Sequence, residues 1–170
     1  MNDLQSSFAI AQTLQRVVRY VAISIWLGGL MTLGTNVAPL IFRNVPAPAS
    51  ADAMILVFLR FDRFAIAAAI MLLGGEIAWA IGSKVSKASA LLRLSLVTIA
   101  LLVRLIEAVW LAPAISALHR NGAVRGIGRL GESLEQLHRW AEATGKIEAG
   151  LLAAFVVAVA WFESRSARSD

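Results

Sequence analysis

The sequence contains no cysteine among its 170 residues, and charged residues make up only 16% of it. Without thiols the chain has no disulfide bond, no iron–sulfur cluster and no thiolate-bound metal. Soluble domains usually contain about 25% charged and about 45–50% apolar residues. Here the apolar residues reach 58%, which is too large an excess for the core of a soluble domain of this length. The composition therefore indicates a membrane protein.

Motifs for catalysis or nucleotide binding are also lacking. The chain contains no GxSxG, no HExxH and no phosphate-binding glycine loop. An enzyme is therefore the less favoured interpretation, and we name no catalytic residue. The net charge of +5 would suit a nucleic acid, but the basic residues flank apolar runs and are not interleaved with aromatic residues. In that position they meet lipid headgroups, so we expect the bilayer as a partner and no nucleic acid.

The apolar residues are concentrated in four runs. Roughly 20 helical residues cross the hydrocarbon layer of a bilayer, and each run is long enough to do so. The sequence therefore predicts an all-α fold, a polytopic membrane four-helix bundle in a single domain. The predicted spans are about 17–42, 54–82, 91–117 and 143–163.

The stretch "ESLEQLHRWAEATGK" predicts an amphipathic interfacial helix at about residues 130–142. Leucines recur on one face at helical spacing, and charged residues occupy the other face. No proline separates this stretch from the last run, so we expect one helix that leads into the last span. On that helix Glu148 shares the leucine face and should point into the bundle.

An even number of spans places both termini and the middle loop on one side of the membrane. The first run is too long for a cleaved signal, and no basic segment precedes it. A count of basic residues close to the span ends favours an N-terminus on the inner side. We expect a protein integral to a cell membrane, the inner membrane of a bacterium.

Five polar residues of the predicted spans are candidates for a buried site. Charged groups in lipid are rare and generally have partners inside the bundle, so we expect these five to form one buried polar seam. Its interpretation is open: it is either a salt bridge that fixes helix order or a path for a proton, a cation or a polar ligand. The residues of this seam are Asn36, Glu76, Arg104, Glu107 and Glu148.

The only two histidines are His119 and His138, and both are predicted at the same membrane face. Two imidazoles could ligate a b-type haem, although such haems usually lie deeper, between facing helices. Histidines beside arginine and tryptophan more often lie in the headgroup layer. Haem or another metal at these histidines is therefore the less favoured interpretation.

Four segments resemble a known family in the order in which they occur. They are "WLGGLMTLGTNVAPLIF", "RFDRFAIAAAIMLLGGEIAWA", "RLIEAVWLAPAISALHR" and "LEQLHRWAEATGKIEAGLLAAF". The chain is similar to the transmembrane protein 205-like family, a domain-of-unknown-function family (number 4149). This resemblance implies an integral membrane four-helix bundle and carries no established activity.

Three functions follow from these observations. The favoured one is a non-enzymatic accessory or structural component of a membrane assembly, with membrane-protein partners or further copies of itself. The second is a small transporter of protons, cations or solutes that uses the polar seam. The third is an electron carrier with haem b at the two histidines.

Overall fold

The computed structural model describes residues 2–82 and 86–166. Within these ranges every regular element is helical and no strand occurs, so the predicted all-α fold is confirmed. The chain forms an antiparallel bundle in which consecutive helices pack side by side. The helices are α1 (residues 2–44), α2 (Ala49–Gly82), α3 (Lys87–Arg120) and α4 (Gly128–Ser166).

All four helices are long and apolar enough to cross a membrane, with candidate spans of 33 to 37 residues. At 1.5 Å per residue such helices measure about 50–55 Å, whereas the hydrocarbon layer is about 30 Å thick. The helix ends therefore extend beyond the hydrocarbon layer. The protein is a four-helix membrane protein whose interior is rich in alanine, and these small side chains let the helices approach closely. The fully buried alanines are Ala22, Ala65, Ala69 and Ala100.

Helices α1 and α3 each contain a π-helical turn two residues before a proline. In α1 the turn is Leu33–Val37 and the proline is Pro39; in α3 they are Glu107–Leu111 and Pro113. Proline has no N–H to donate, and its ring clashes with the carbonyl group four residues earlier. The preceding turn therefore widens, and π turns of this kind are frequent at functional sites. A third π turn, Ser24–Gly28, lies earlier in α1.

The stripe of small residues on α1 faces outward. Small residues of membrane helices usually lie against a neighbouring helix, but these are turned away from the bundle. The reason is that α1 instead turns Trp26 and Leu33 inward and approaches α2 at Gly29, where a Cβ atom would lie 2.5 Å from Cε2 of Phe61. The exposed members of the stripe are Ser24, Gly28, Thr32 and Thr35.

Helix α4 runs unbroken from Gly128 to Ser166, so the predicted continuation of the amphipathic segment into the last span is observed. Three glycines with positive φ, at 122, 126 and 128, turn the chain between α3 and α4. On the amphipathic segment Lys146 pairs with Glu142 at 2.6 Å.

Candidate functional site

Two groups of charged side chains are buried inside the bundle, and each receives a residue from all four helices. We call them the Arg104 cluster and the Arg93 cluster. The Arg104 cluster consists of Trp26, Asp62, Arg104, Glu107 and Glu148. The Arg93 cluster consists of Arg19, Glu76, Trp79, Arg93 and Glu163.

Arg104 contacts carboxylates from three helices. Its Nε donates to Oε1 of Glu148 at 2.9 Å, and its Nη2 bonds the second oxygen of the same carboxylate. Its Nη1 lies 2.9 Å from Oδ1 of Asp62 and 2.9 Å from Oε2 of Glu107. The indole N–H of Trp26 donates to Oε1 of Glu148 at 2.5 Å. The planar guanidinium suits this two-point contact with one carboxylate.

Glu107 is the member of the cluster with an incompletely bonded carboxylate. Its Oε1 atom is buried and accepts no hydrogen bond within the described parts of the chain. The hydroxyl of Thr144 on α4 lies within hydrogen-bonding reach of the Glu107 carboxyl group, and it bonds to the carbonyl oxygens of Trp140 and Ala141 in its own helix. Glu107 also begins the π turn of α3. The Arg104 cluster therefore contains a buried carboxylate oxygen that can bind a further hydrogen.

The Arg104 cluster carries more negative than positive charge. One arginine faces three carboxyl groups, so full ionisation leaves two uncompensated negative charges. The carboxylate oxygens of Asp62 and Glu107 that share one nitrogen of Arg104 lie within about 6 Å of each other. Two charges at that distance repel by about 3 kcal/mol at an effective dielectric constant of about 20. A buried site of this composition favours binding of positive charge.

The Arg93 cluster is electrically balanced. Glu76 is shared between Arg19 at 2.6 Å and Arg93 at 2.5 Å, and Arg19 also binds Glu163 at 2.9 Å. The guanidinium carbon of Arg93 lies 3.8 Å from the ring centroid of Trp79, a contact in which the aromatic face stabilises the cation. Two arginines and two glutamates leave no formal net charge, which is typical of a structural ion-pair network.

An apolar layer separates the two clusters. Arg93 and Arg104 are 11 residues apart on α3, and Glu76 and Asp62 are 14 residues apart on α2, which corresponds to about 16–21 Å along the bundle. The side chains between them are fully or almost fully buried and belong to the apolar core. They include Ala65, Leu72, Val97, Leu152 and Phe155.

The structure brings together three of the five residues of the predicted seam. Arg104, Glu107 and Glu148 meet in the Arg104 cluster, whereas Glu76 binds Arg19 and Arg93. Asn36 is exposed on α1, and its amide donates to Thr35 at 3.0 Å. A single seam of all five residues is therefore wrong. The reason is the register of the antiparallel pair α2 and α3, which places Glu76 beside Arg93 and Asp62 beside Arg104.

Six members of the two clusters were not predicted from the sequence, namely Arg19, Trp26, Asp62, Trp79, Arg93 and Glu163. The arginines lie close to predicted span ends, where charges ordinarily face headgroups, and Asp62 lies between two arginines that are exposed. A usable signal was present, because residues equally far from a short loop face each other in an antiparallel pair. That rule pairs Glu76 with Arg93 and brings Asp62 close to Arg104.

The two histidines meet beyond the Arg104 cluster, where the end of α3 packs on the start of α4. Their ring centroids are 5.9 Å apart and the rings meet edge to face at 68°. Axial haem ligands must approach the iron from opposite sides of the macrocycle, whereas His119 and His138 contact each other directly. This arrangement does not fit a haem between the two rings.

The comparisons with known proteins yield one match. A model described as "Domain of unknown function (DUF4149)" matches residues 21–123, more than half of the chain. The matched part contains most of the Arg104 cluster, whereas Glu148 and Glu163 lie after it. No curated protein and no solved structure matches the chain. The finer name, transmembrane protein 205-like, remains a prediction from the sequence motifs.

Proposed function

Because the chain belongs to the DUF4149 family, whose description names no activity, we propose a function from its buried charges: the protein binds and releases protons at the Arg104 cluster inside the membrane. The observation that carries this proposal is the ratio of three carboxyl groups to one arginine among residues that are almost fully buried. Reversible protonation is the chemistry that proton-coupled transporters and membrane proton sensors share.

A proton fits the Arg104 cluster better than a metal cation does. Calcium takes six to eight oxygen ligands, and magnesium demands an octahedral site. Four of the carboxylate oxygens already lie in close contact with Arg104, and both oxygens of Glu148 are among them. A proton needs no additional volume and can bind the unbonded Oε1 of Glu107.

The first prediction concerns the number of neutral carboxyl groups. In detergent-solubilised protein at neutral pH, infrared spectroscopy should detect protonated carboxylic acid, because the cluster cannot keep three ionised carboxylates beside one arginine. Glu107→Gln should reduce this signal and leave the fold intact, since the amide replaces the neutral acid with nearly the same shape. Proton release on raising the pH, measured with an indicator dye, should fall in parallel.

The matched control for this prediction is Glu142→Gln. Glu142 lies on α4, where it is exposed and pairs with Lys146, so it should be ionised and its replacement should leave the carboxylic acid signal unchanged. A wild-type spectrum without protonated carboxylic acid at any pH between 5 and 8 would refute proton binding at this cluster.

A second candidate function is that of an accessory component within a membrane assembly. The specific observation in its favour is the outward stripe on α1, where Gly28, Thr32 and Thr35 are exposed together with Asn36. Small residues on membrane helices permit close approach of another helix, and polar side chains there form hydrogen bonds across the interface. The partner would be a membrane protein or a second copy of this chain.

Native mass spectrometry of the protein, extracted from its own membranes in mild detergent, tests this second candidate. An assembly should appear at a mass above the 18.2 kDa of the chain, and Gly28→Leu should dissociate it by blocking the close approach. A bare 18.2 kDa species would contradict the accessory role. We also propose a bacterial inner membrane as the location, with the N-terminus inside.

A further inference from the structure

The two halves of the chain share one arrangement of buried residues and helix turns. Equivalent positions of the first helices lie 74 residues apart in the sequence. Arg19 is equivalent to Arg93, the π turn Leu33–Val37 to the π turn Glu107–Leu111, and Pro39 to Pro113. The first helix of each hairpin therefore contains a buried arginine and, toward its C-terminal end, a widened turn before proline. The hairpin of α1 and α2 corresponds to the hairpin of α3 and α4 in the same direction.

The second helices of the hairpins correspond as well. Here equivalent positions lie 87 residues apart: five inward positions of α2 correspond to inward or partly buried positions of α4. The last of these pairs is Glu76 with Glu163. The five positions on α2 are Phe61, Ala65, Ala68, Leu72 and Glu76, and those on α4 are Glu148, Leu152, Phe155, Val159 and Glu163.

The two clusters differ in whether their residues have equivalents in the other half of the chain. The Arg93 cluster contains matched pairs, because Arg19 and Arg93 are equivalent and so are Glu76 and Glu163. The Arg104 cluster has no counterpart, because leucine occupies both positions of the first hairpin that correspond to Arg104 and Glu107, namely Leu30 and Leu33. One cluster is made of equivalent residues from the two halves, whereas the other has its arginine and two of its three carboxyl groups in the second half.

The apolar layer separates the Arg104 cluster from the end of the bundle at which the Arg93 cluster lies. In the Arg93 cluster the side chains of Arg19, Glu76 and Arg93 are 4%, 1% and 0% exposed, and that of Glu163 is 36% exposed. On the other side of the apolar layer, the side chains of Glu107 and Asp62 in the Arg104 cluster are 13% and 9% exposed. Of the two cluster members on α3, Glu107 lies nearer to the α3–α4 loop. Its unbonded Oε1 faces Gly145 of α4, where an added Cβ atom would lie 3.9 Å from it.

We propose that the Arg104 cluster exchanges protons with only one face of the membrane, the face of the α3–α4 loop, so that the protein responds to the pH of that face and does not conduct protons. This inference rests on the proposed proton binding and adds its direction. The titratable groups that face Arg104 are Asp62 from α2, Glu107 from α3 and Glu148 from α4; α1 contributes the N–H of Trp26.

Trp26 provides the readout. Its indole N–H is bonded directly to Glu148, so a change of charge in the cluster alters its fluorescence. The Trp26 signal is obtained as the difference between the wild type and Trp26→Phe, which removes the N–H and keeps an aromatic ring. A variant that retains only Trp26, with phenylalanine at the other four tryptophans, provides an independent second measurement.

The protein is reconstituted into vesicles, and Val124→Cys on the exposed loop is biotinylated from outside. Streptavidin then separates vesicles with this loop outside from those with it inside. The external pH is lowered while the internal pH is buffered. We expect the full Trp26 response in the captured vesicles, and no response in the remainder until a proton ionophore equilibrates the internal pH.

The outcomes separate the two proposals. A response in both populations before the ionophore is added, or only in vesicles with the loop inside, overturns the one-sided exchange and leaves proton binding standing. No response in either population, even with the ionophore, overturns proton binding and the one-sided exchange together.

Discussion

At the scale of single residues, Arg104 differs from an ordinary surface ion pair because water cannot replace its partners. Its guanidinium holds Asp62, Glu107 and Glu148 together in a region that is almost fully buried. Removal of one member of a buried ion pair usually costs about 3–5 kcal/mol, since the remaining charge has no compensation. Arg104 therefore has a structural role as well as the proposed role in proton binding.

Arg104→Gln should lower the free energy of unfolding by about 3–5 kcal/mol, measured by denaturant titration in detergent. The double variant with Glu148→Gln should regain part of the lost free energy of unfolding, because it has one uncompensated buried carboxylate fewer. The same Glu148→Gln on its own should destabilise the protein, because Arg104 then loses its two-point partner. If Arg104→Gln unfolds at the wild-type denaturant concentration, the ion pairs of this cluster do not stabilise the fold.

The residue scale is also where the sequence was least informative. Glu107 and Glu148 were recognised because each interrupts a long apolar run, and charges in lipid generally point inward. Arg93 and Arg19 were not recognised, because a basic residue close to a span end usually contacts headgroups. Their burial depends on the register between helices, which hydropathy does not encode.

At the scale of helices, the approach of α1 to α2 is set by adjacent glycines with different surroundings. A Cβ atom at Gly29 would lie 2.5 Å from Cε2 of Phe61, whereas a Cβ atom at Gly28 would meet nothing within 4 Å. The ring centroid of Phe61 in turn lies 5.2 Å from the guanidinium carbon of Arg104. The contact between α1 and α2 therefore supports one wall of the Arg104 cluster.

Gly29→Ala should destabilise the protein by about 1–3 kcal/mol, since the phenylalanine ring must move within a packed interior. Gly28→Ala is the matched control: it should be neutral or stabilising by up to about 1 kcal/mol, because alanine favours the helix and has open space at this position. Thermal unfolding of the two variants in one detergent compares them. Equal midpoints would show that Phe61 does not limit the approach of α1.

The helices themselves were predictable from the sequence, because four apolar runs of sufficient length leave few alternatives. The continuous helix through Glu142 and Lys146 into the last span was predictable for the same kind of reason, as no proline interrupts it. The outward orientation of the small residues on α1 was not predictable from the sequence. Small residues favour helix contacts, but they do not say whether the neighbouring helix belongs to the same chain.

At the scale of the whole molecule, the antiparallel bundle places its loops at opposite ends. The loops at residues 45–48 and 121–127 lie at one end, and the start of α3 and the end of α4 lie at the other. From Arg104, Glu107 lies in the direction of the end of the bundle that holds the loop after α3. The orientation of the chain therefore decides which compartment the Arg104 cluster can respond to.

Because the native sequence has no cysteine, single-cysteine variants can test this orientation without a background. With the N-terminus inside, Val124→Cys should react with a membrane-impermeant maleimide in intact cells. Ser164→Cys, at the other end of the bundle, should react only after permeabilisation. Labelling of Ser164→Cys alone in intact cells would reverse the proposed orientation, and labelling of both would contradict the antiparallel topology.

The π turn Glu107–Leu111 has a consequence for how this chain tolerates insertions and deletions. A π turn bonds each N–H one residue farther back than an α turn does, so it accommodates one extra residue without rotating the helix beyond it. Deleting one residue inside this turn should convert it to regular α-helix and keep the last part of α3 in phase. The same deletion elsewhere in α3 would rotate all later side chains by about 100°. The segment that holds Glu107 is therefore the place in α3 where the length of the chain can change by one residue without loss of the bundle.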